Sequence, residues 1–323
     1  MSYVVKYIGN CAKKNIDIKP LYCEDVKNGS RVVLVSEKAN SAQYFSDEIK
    51  LIESIVDVVH CDAKVMLLRT DKNAMELAVE CASTLYTAEC QVYVEYDGLF
   101  TADPSVLEYA KRIEKIDYDE VGEICTGGYS GLDYSMIEAA KKAGVILHLL
   151  SYNNPNGKGT LIKEALGNEN EIIKGVIKNL DICIITLQDI PDEKGVSYRI
   201  FQAISDAKIV VDIISLPASN YGKQDISFTV DRQDKLLTQK ILAEKQQELG
   251  FSSMVVDDNV AKISIVGAAL QTNHGVAATV FKILYENDIN LRLITTSEIK
   301  IAFIVDKASA DLAVQKIHEV FIN

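Results

Sequence analysis

A chain of 323 residues is too long for one small core, so it divides into two or three domains. Hydrophobic residues make up 48% and charged residues 25%, ordinary for a soluble globular protein, and a formal charge of −12 lacks the basic footprint that a general nucleic-acid binder needs to displace counterions. Seven scattered cysteines without a Cys-x-x-Cys pair, a start "MSYVVKYIGNC" without a signal pattern, and no apolar run near the ~20 residues of a bilayer span point to a cytoplasmic protein with neither membrane partner nor metal site.

The first half reads as an α/β region. Strands are predicted at 3–8 ("YVVKYI"), 31–36 ("RVVLVS"), 90–95 ("CQVYVE") and 145–151 ("VILHLLS"), with helices at 47–57, 72–86, 105–113, 117–124 and 134–143. The third strand runs into "YDGLFTADPS" (96–105), whose Asp-Gly and Asp-Pro are turn dipeptides. A strand ending in so shaped a loop presents that loop to a ligand. "NNPNGKG" (153–159) is the clearest breaker cluster and begins the exit from this domain.

The second half contains an internal repeat. "EKGVSYRIFQAISDAKIVVDIIS" (193–215) aligns without a gap with "NHGVAATVFKILYENDINLRLIT" (273–295), matching Gly195 to Gly275, Phe201 to Phe281, Ile209 to Ile289 and Ile214 to Ile294. Each copy follows an apolar strand run, "DICIITL" or "AKISIVG", and precedes a second, "DISFTVD" or "IKIAFIVD", then a helix at 232–249 or 308–320. Alternating periods of 2 and 3.6 predict a small α+β unit used twice, with Val196, Ile200, Phe201 and Ile204 on one helical face.

These segments resemble a known family. "YDGLFTADP", "IEKIDYDEVGEI" and "NNPNGKGTLI", in that order, are similar to the second half of the amino-acid kinase domain of aspartate kinase. "IPDEKGVSYRIF", "DISFTVDRQD", "DDNVAKISIVG" and "TTSEIKIAFIVD" resemble the tandem ACT domains that follow it, so the resemblance covers everything from about residue 90 onward. It implies an α/β fold: a shortened amino-acid-kinase-like αβα sandwich at 1–165, then ferredoxin-like α+β ACT domains at 166–252 and 253–323. Family members transfer the γ-phosphoryl of ATP to the β-carboxylate of aspartate, toward lysine, threonine and methionine. That chemistry rests on positioning and on cancelling negative charge.

The resemblance also assigns residues, and this chain departs from several of them. Lys6 stands as the catalytic remnant, but Ile8 replaces a glycine of the phosphate cradle and Asn10 a hydroxyl residue. Ser36, Glu95, Gly98 and Phe100 are the nucleotide-site remnants; Val94-Glu95 stand for Thr-Asp, Ser105 for an Arg and Ser130 for a Lys. A long stretch carrying much of the family's aspartate site is reduced to a short span before the helix at 72–86. Arg69 there is an aspartate clamp or a solvated helix-start charge. Each lost charge contact costs on the order of 2–4 kcal/mol in the transition state, so ATP and Mg enter only if kinase activity survives.

The sensor half keeps its form. Ile190, Asp192, Glu193, Gly195, Val196 and Ser197 make a loop entering a helix whose free N–H groups suit an amino-acid carboxylate. Asp212 stands where the family meets the ligand's amino group; the other reading is a strand-end carboxylate facing water. The acidic Asp192 and Glu193 favour lysine as effector, with threonine the second choice. Exposed ACT edge strands imply a homodimer, and a catalytic aspartate kinase is a further partner to consider. The favoured reading is an amino-acid-sensing regulatory or pseudo-kinase member of the family; the alternatives are an active aspartate kinase and a relic without ligand.

Overall fold

The β-branched runs at the start of the chain form β1 (Tyr3–Tyr7) and, after α1 (Lys19–Lys27), β2 (Arg31–Glu37), which pair in parallel with Tyr3 opposite Arg31. The computed structural model describes residues 2–9, 11, 14, 16–38, 49–129, 131–164, 172–270, 273 and 275–322. They fall into two units, Met1–Gly175 and Val176–Asn323.

The first unit continues with β3 (Lys50–Ile52), α2 (Ile55–His60), β4 (Val65–Thr70), α3 (Ala74–Thr84) and β5 (Glu89–Val94). Then come β6 (Lys115–Ile116), α4 (Tyr118–Thr126), α5 (Tyr134–Ala143), β7 (Ile146–Ser151) and β8 (Thr160–Ile162). Local chemistry sets the helix starts. The Asn73 side chain accepts from the N–H groups of Met75 and Glu76, and Asp117 with Glu120 forms a capping box. The eight strands lie in the order β3-β4-β2-β1-β5-β7-β8-β6, with β7 and β8 antiparallel. Alternate residues Val32, Leu34, Val65 and Leu67 pack with Ile18, Leu21 and Tyr22 in one core cluster, while α3 lies against β1, β2 and β5.

Two predicted helices are corrected here. The described part of 47–57 is the strand β3 followed by the start of α2, which Ser54 caps through Asp57. Residues 105–113 are turns, because the Asp103 carboxylate accepts from the Ser105 N–H and Thr101 pairs with Lys111. Short side-chain bonds of this kind compete with helix formation. Ser130 and Asn10 lie outside the described residues.

The second unit holds β9 (Gly175–Asn179), β10 (Ile182–Pro191), α6 (Val196–Asp206), β11 (Val211–Ser215) and β12 (Lys223–Asp231). It continues with α7 (Lys235–Glu244), α8 (Gln246–Leu249), β13 (Ser253–Asp257), β14 (Val260–Val266) and α9 (Val276–Glu286). β15 (Leu291–Thr296), β16 (Lys300–Asp306) and α10 (Ala310–Phe321) complete it. The helix predicted at 232–249 is a 3-10 turn (Arg232–Asp234) followed by α7 and α8.

Two four-stranded sheets result, β11-β12-β10-β13 and β15-β16-β14-β9. They interleave along the chain. β9, ahead of the first repeat, completes the second sheet, whereas β13, beyond the expected division at 252/253, completes the first. Among the described residues no helix is long and apolar enough to cross a membrane.

Candidate functional site

In an open parallel sheet the ligand crevice lies beyond the carboxyl ends of the strands, where the chain turns to opposite sides of one strand. Here that strand is β1, flanked by β2 and β5. Lys6 does not enter the crevice. Its Nζ lies 2.8 Å from Asp25 on α1 and donates to Gln91 Oε1 at 2.7 Å and to the Tyr93 hydroxyl at 3.1 Å. Only 3% of Lys6 is exposed, and burial lowers its pKa against the opposing pull of Asp25.

The next residue reaches over the strand end instead. Tyr7 donates to Glu37 Oε1 at 3.0 Å, and burial together with the Glu37 carboxylate pushes its phenol far above its ordinary range. A Cβ on Gly9 would lie 2.3 Å from the Tyr7 hydroxyl and 2.5 Å from Glu37 Oε2. A phenol and a carboxylate thus cover the backbone at Gly9. Ile8 is buried in the core cluster, and Ser36 is buried with its hydroxyl turned to the Glu37 carbonyl.

The cations at neighbouring strand ends are matched by acids. Arg69 pairs with Glu53 at 3.0 Å, and Lys38 meets Asp71 at 2.9 Å and Glu53 at 3.7 Å. At the end of β5 the exposed Glu95 carboxylate faces Lys14 at 3.7 Å. The loop after it is fitted to another part of the protein. Gly98 has φ +95, and Thr160 lies so close that a Cβ would sit 2.3 Å from its Oγ1. That hydroxyl accepts from the Leu99 N–H at 2.8 Å and donates to the Ile113 carbonyl at 2.5 Å. Asp97 accepts from the Gly159 N–H, Arg112 donates to the Gly159 carbonyl, and Phe100 stacks edge-on against Tyr96. The turns of 96–105 grip the 153–160 segment.

In the second unit, Gly195 has φ 89 at the entrance of α6, and among the described residues no side chain caps that helix. Asp192, Glu193 and Lys194 are exposed and Ser197 is half-buried beside it. Ile190 and Val196 turn their side chains into the core cluster with Ile200, Ile204 and Phe228, leaving their backbone groups as what they offer a ligand. Each continues an apolar period into the loop, which is why they pack inward.

Asp212 does not face this loop within the chain. Val211 is opposite Val230, which is opposite Cys183, whereas the loop starts beyond Ile190. Seven residues of extended strand put them on the order of 20 Å apart, too far for one amino acid to bridge. Asp212 Oδ2 instead lies 2.6 Å from Nζ of the buried Lys262 on β14. The reading of Asp212 as a strand-end carboxylate facing water changes accordingly: one oxygen belongs to an ion pair between the two repeats.

The repeat explains the pairing. Arg292 occupies the position equivalent to Asp212 and pairs within its own sheet with Asp306 at 2.9 Å. In the first repeat the corresponding strand end is Asp231, another acid, whose pKa is raised by burial and then by Asp234. The cation must come from elsewhere, and Lys262, equivalent to Ile182, supplies it. Its signal in the sequence was a charge inside an apolar strand.

Residues 7–151 match the amino acid kinase family and residues 263–321 match an ACT domain. The aspartate kinase of Pseudomonas putida is 30% identical over 319 residues, covering 98% of this chain and 75% of that protein. The aspartate kinase of Pseudomonas fluorescens is 36% identical over 245 residues, 75% of this chain and 59% of its own length. The aspartokinase of Pseudomonas aeruginosa is 35% identical over 246 residues, 75% of this chain and 60% of its own length, so the chain spans about 60% of these two relatives. Among solved structures, Clostridium acetobutylicum aspartate kinase superposes with a TM-score of 0.71 at 20% identity, over 80% of this chain and 63% of that one. Escherichia coli aspartokinase III in complex with lysine and aspartate superposes with 0.66 at 23% identity, over 80% and 60%. Both likenesses concern the fold.

Proposed function

This chain belongs to the aspartate kinase family, and from that premise we propose that it is an amino-acid-sensing regulatory member whose kinase-like unit does not turn over ATP. The observation that carries this reading is the fate of the cradle. The Lys6 ammonium is buried against Asp25, and Tyr7 with Glu37 covers Gly9. Phosphoryl transfer depends on cations and close N–H groups around the phosphates, and a carboxylate at that place repels them. These residues do not fit a bound magnesium nucleotide.

The sensing role rests on the uncapped start of α6, where N–H groups and the positive dipole end suit a carboxylate. Exposed Asp192 and Glu193 favour a cationic side chain, so lysine is the first effector to test and threonine the second. The fold neighbour from Escherichia coli is in complex with lysine, which agrees with that order. With Asp212 remote from the loop in its own chain, the ligand's amino group must be met by groups at the α6 entrance or by a second copy. Edge strands β11 and β15 supply surfaces for a homodimer or for a catalytic aspartate kinase.

The test is aspartyl phosphate formation by the purified protein with saturating Mg·ATP, beside calorimetry with ATP, lysine, threonine and methionine. Heat from an amino acid with no turnover supports the proposal. Robust aspartyl phosphate overturns it.

A further inference from the structure

His148 on β7 stands between two acceptors. Its Nδ1 is 2.9 Å from Glu89 Oε1 on β5, and its Nε2 is 3.0 Å from the carbonyl of Lys158 in the 153–159 segment. The direction of each bond follows from the buried cation at the far end of the row. Lys6 can only donate, so Gln91 turns its oxygen to Lys6 and its amide N–H groups to Glu89, reaching Oε1 at 3.0 Å. Glu89 Oε1 therefore accepts from Gln91 and must accept from His148 as well. The Lys158 carbonyl has no proton to give. A neutral imidazole carries one N–H and satisfies one of the two; the doubly protonated ring satisfies both.

We propose that His148 is a proton-dependent pin that, as imidazolium, ties the 153–159 segment to the sheet through Glu89 and releases it on losing its proton. Other bonds on this segment do not involve the imidazole: the Gly159 N–H donates to Asp97, Arg112 donates to the Gly159 carbonyl, Asn153 donates to Ser151 and the Glu95 carbonyl, and the Gly157 N–H donates to the Asn154 carbonyl. The charged groups around the ring are Glu89 on β5, Asp97 on the 96–105 loop and, through Gln91, Lys6 on β1.

Burial alone would lower the pKa of His148, but Glu89, the Lys158 carbonyl and Asp97 outweigh it and the net shift is upward. A histidine raised in the folded state contributes stability that is complete below the unfolded value of about 6.5 and fades as pH rises through the folded value.

The experiment is nitrogen-resolved NMR titration of His148 in the full chain from pH 5.5 to 8.5, with hydrogen exchange of the Gly157, Gly159 and Leu161 amides over the same range. Both ring nitrogens should carry protons at pH 6, and the titration should fall above the ordinary histidine value. Exchange protection, corrected for intrinsic rate, should drop about tenfold across the titration, and this step should be missing in His148→Gln. A neutral ring at pH 6, or protection that stays level across the titration or drops equally in His148→Gln, overturns the proposal. If His148→Gln does not fold, the wild-type titration and Glu89→Gln decide: the latter should lower the His148 midpoint, and an unchanged midpoint would contradict the pin.

Discussion

Lys262 shows how a single charge can be placed by a partner far away in sequence. Its ammonium is buried, its counter-ion is on the other repeat, and Asp231 adds a second acid nearby. Removing one half of such a pair leaves a charge without compensation. Asp212→Leu, which takes the nearest carboxylate from the buried ammonium, is expected to lower stability by about 2 kcal/mol in urea unfolding at pH 7, and adding Lys262→Met should restore much of the loss. Additive losses would show that the two residues act separately. Glycines permit an equally sharp contrast. Gly98 and Gly195 share positive φ, but a Cβ at Gly98 strikes Thr160 and one at Gly195 meets nothing within 4 Å. Gly98→Ala should cost about 3 kcal/mol and Gly195→Ala about 1 kcal/mol, read from thermal unfolding.

At the level of elements, the interleaved sheets set which parts stand or fall together. Val176 is buried in β9, which pairs beside β14, although the whole first repeat separates them in sequence. Val176→Asp buries a carboxylate and should cost on the order of 3 kcal/mol. Exchange protection should fall across Val260–Val266 while Ile182–Leu187 keep theirs; equal loss in both sheets would contradict the pairing. Elements with strong periodic signals were legible in advance. The helix at 134–143 agrees with α5, and the strands β1, β2, β5 and β7 lie within one or two residues of their predicted bounds. The 105–113 segment was not legible, because Asp103, Thr101 and Lys111 turn the chain through side-chain bonds that periodicity does not register. β3 was hidden for a related reason: three residues are too few to establish a period.

At the level of the whole molecule, the proposed loss of catalysis and retention of sensing predict opposite responses to two ligands. Mg·ATP should leave the unfolding midpoint unchanged. An amino-acid effector at a hundredfold excess over its Kd should stabilise the folded state by about 2.7 kcal/mol. A shift with Mg·ATP alone would indicate a nucleotide site. Family membership, the order of the domains and the repeat were written in local patterns, because turn dipeptides, strand runs and helix periods are properties of neighbours in the chain. The direction of Lys6, the Tyr7 and Glu37 cover on Gly9, the Lys262 pair with Asp212 and the two acceptors around His148 were decided only in three dimensions. Each depends on groups tens of residues apart meeting at contact distance, where burial and Coulomb terms are strong and sequence spacing carries no information about them.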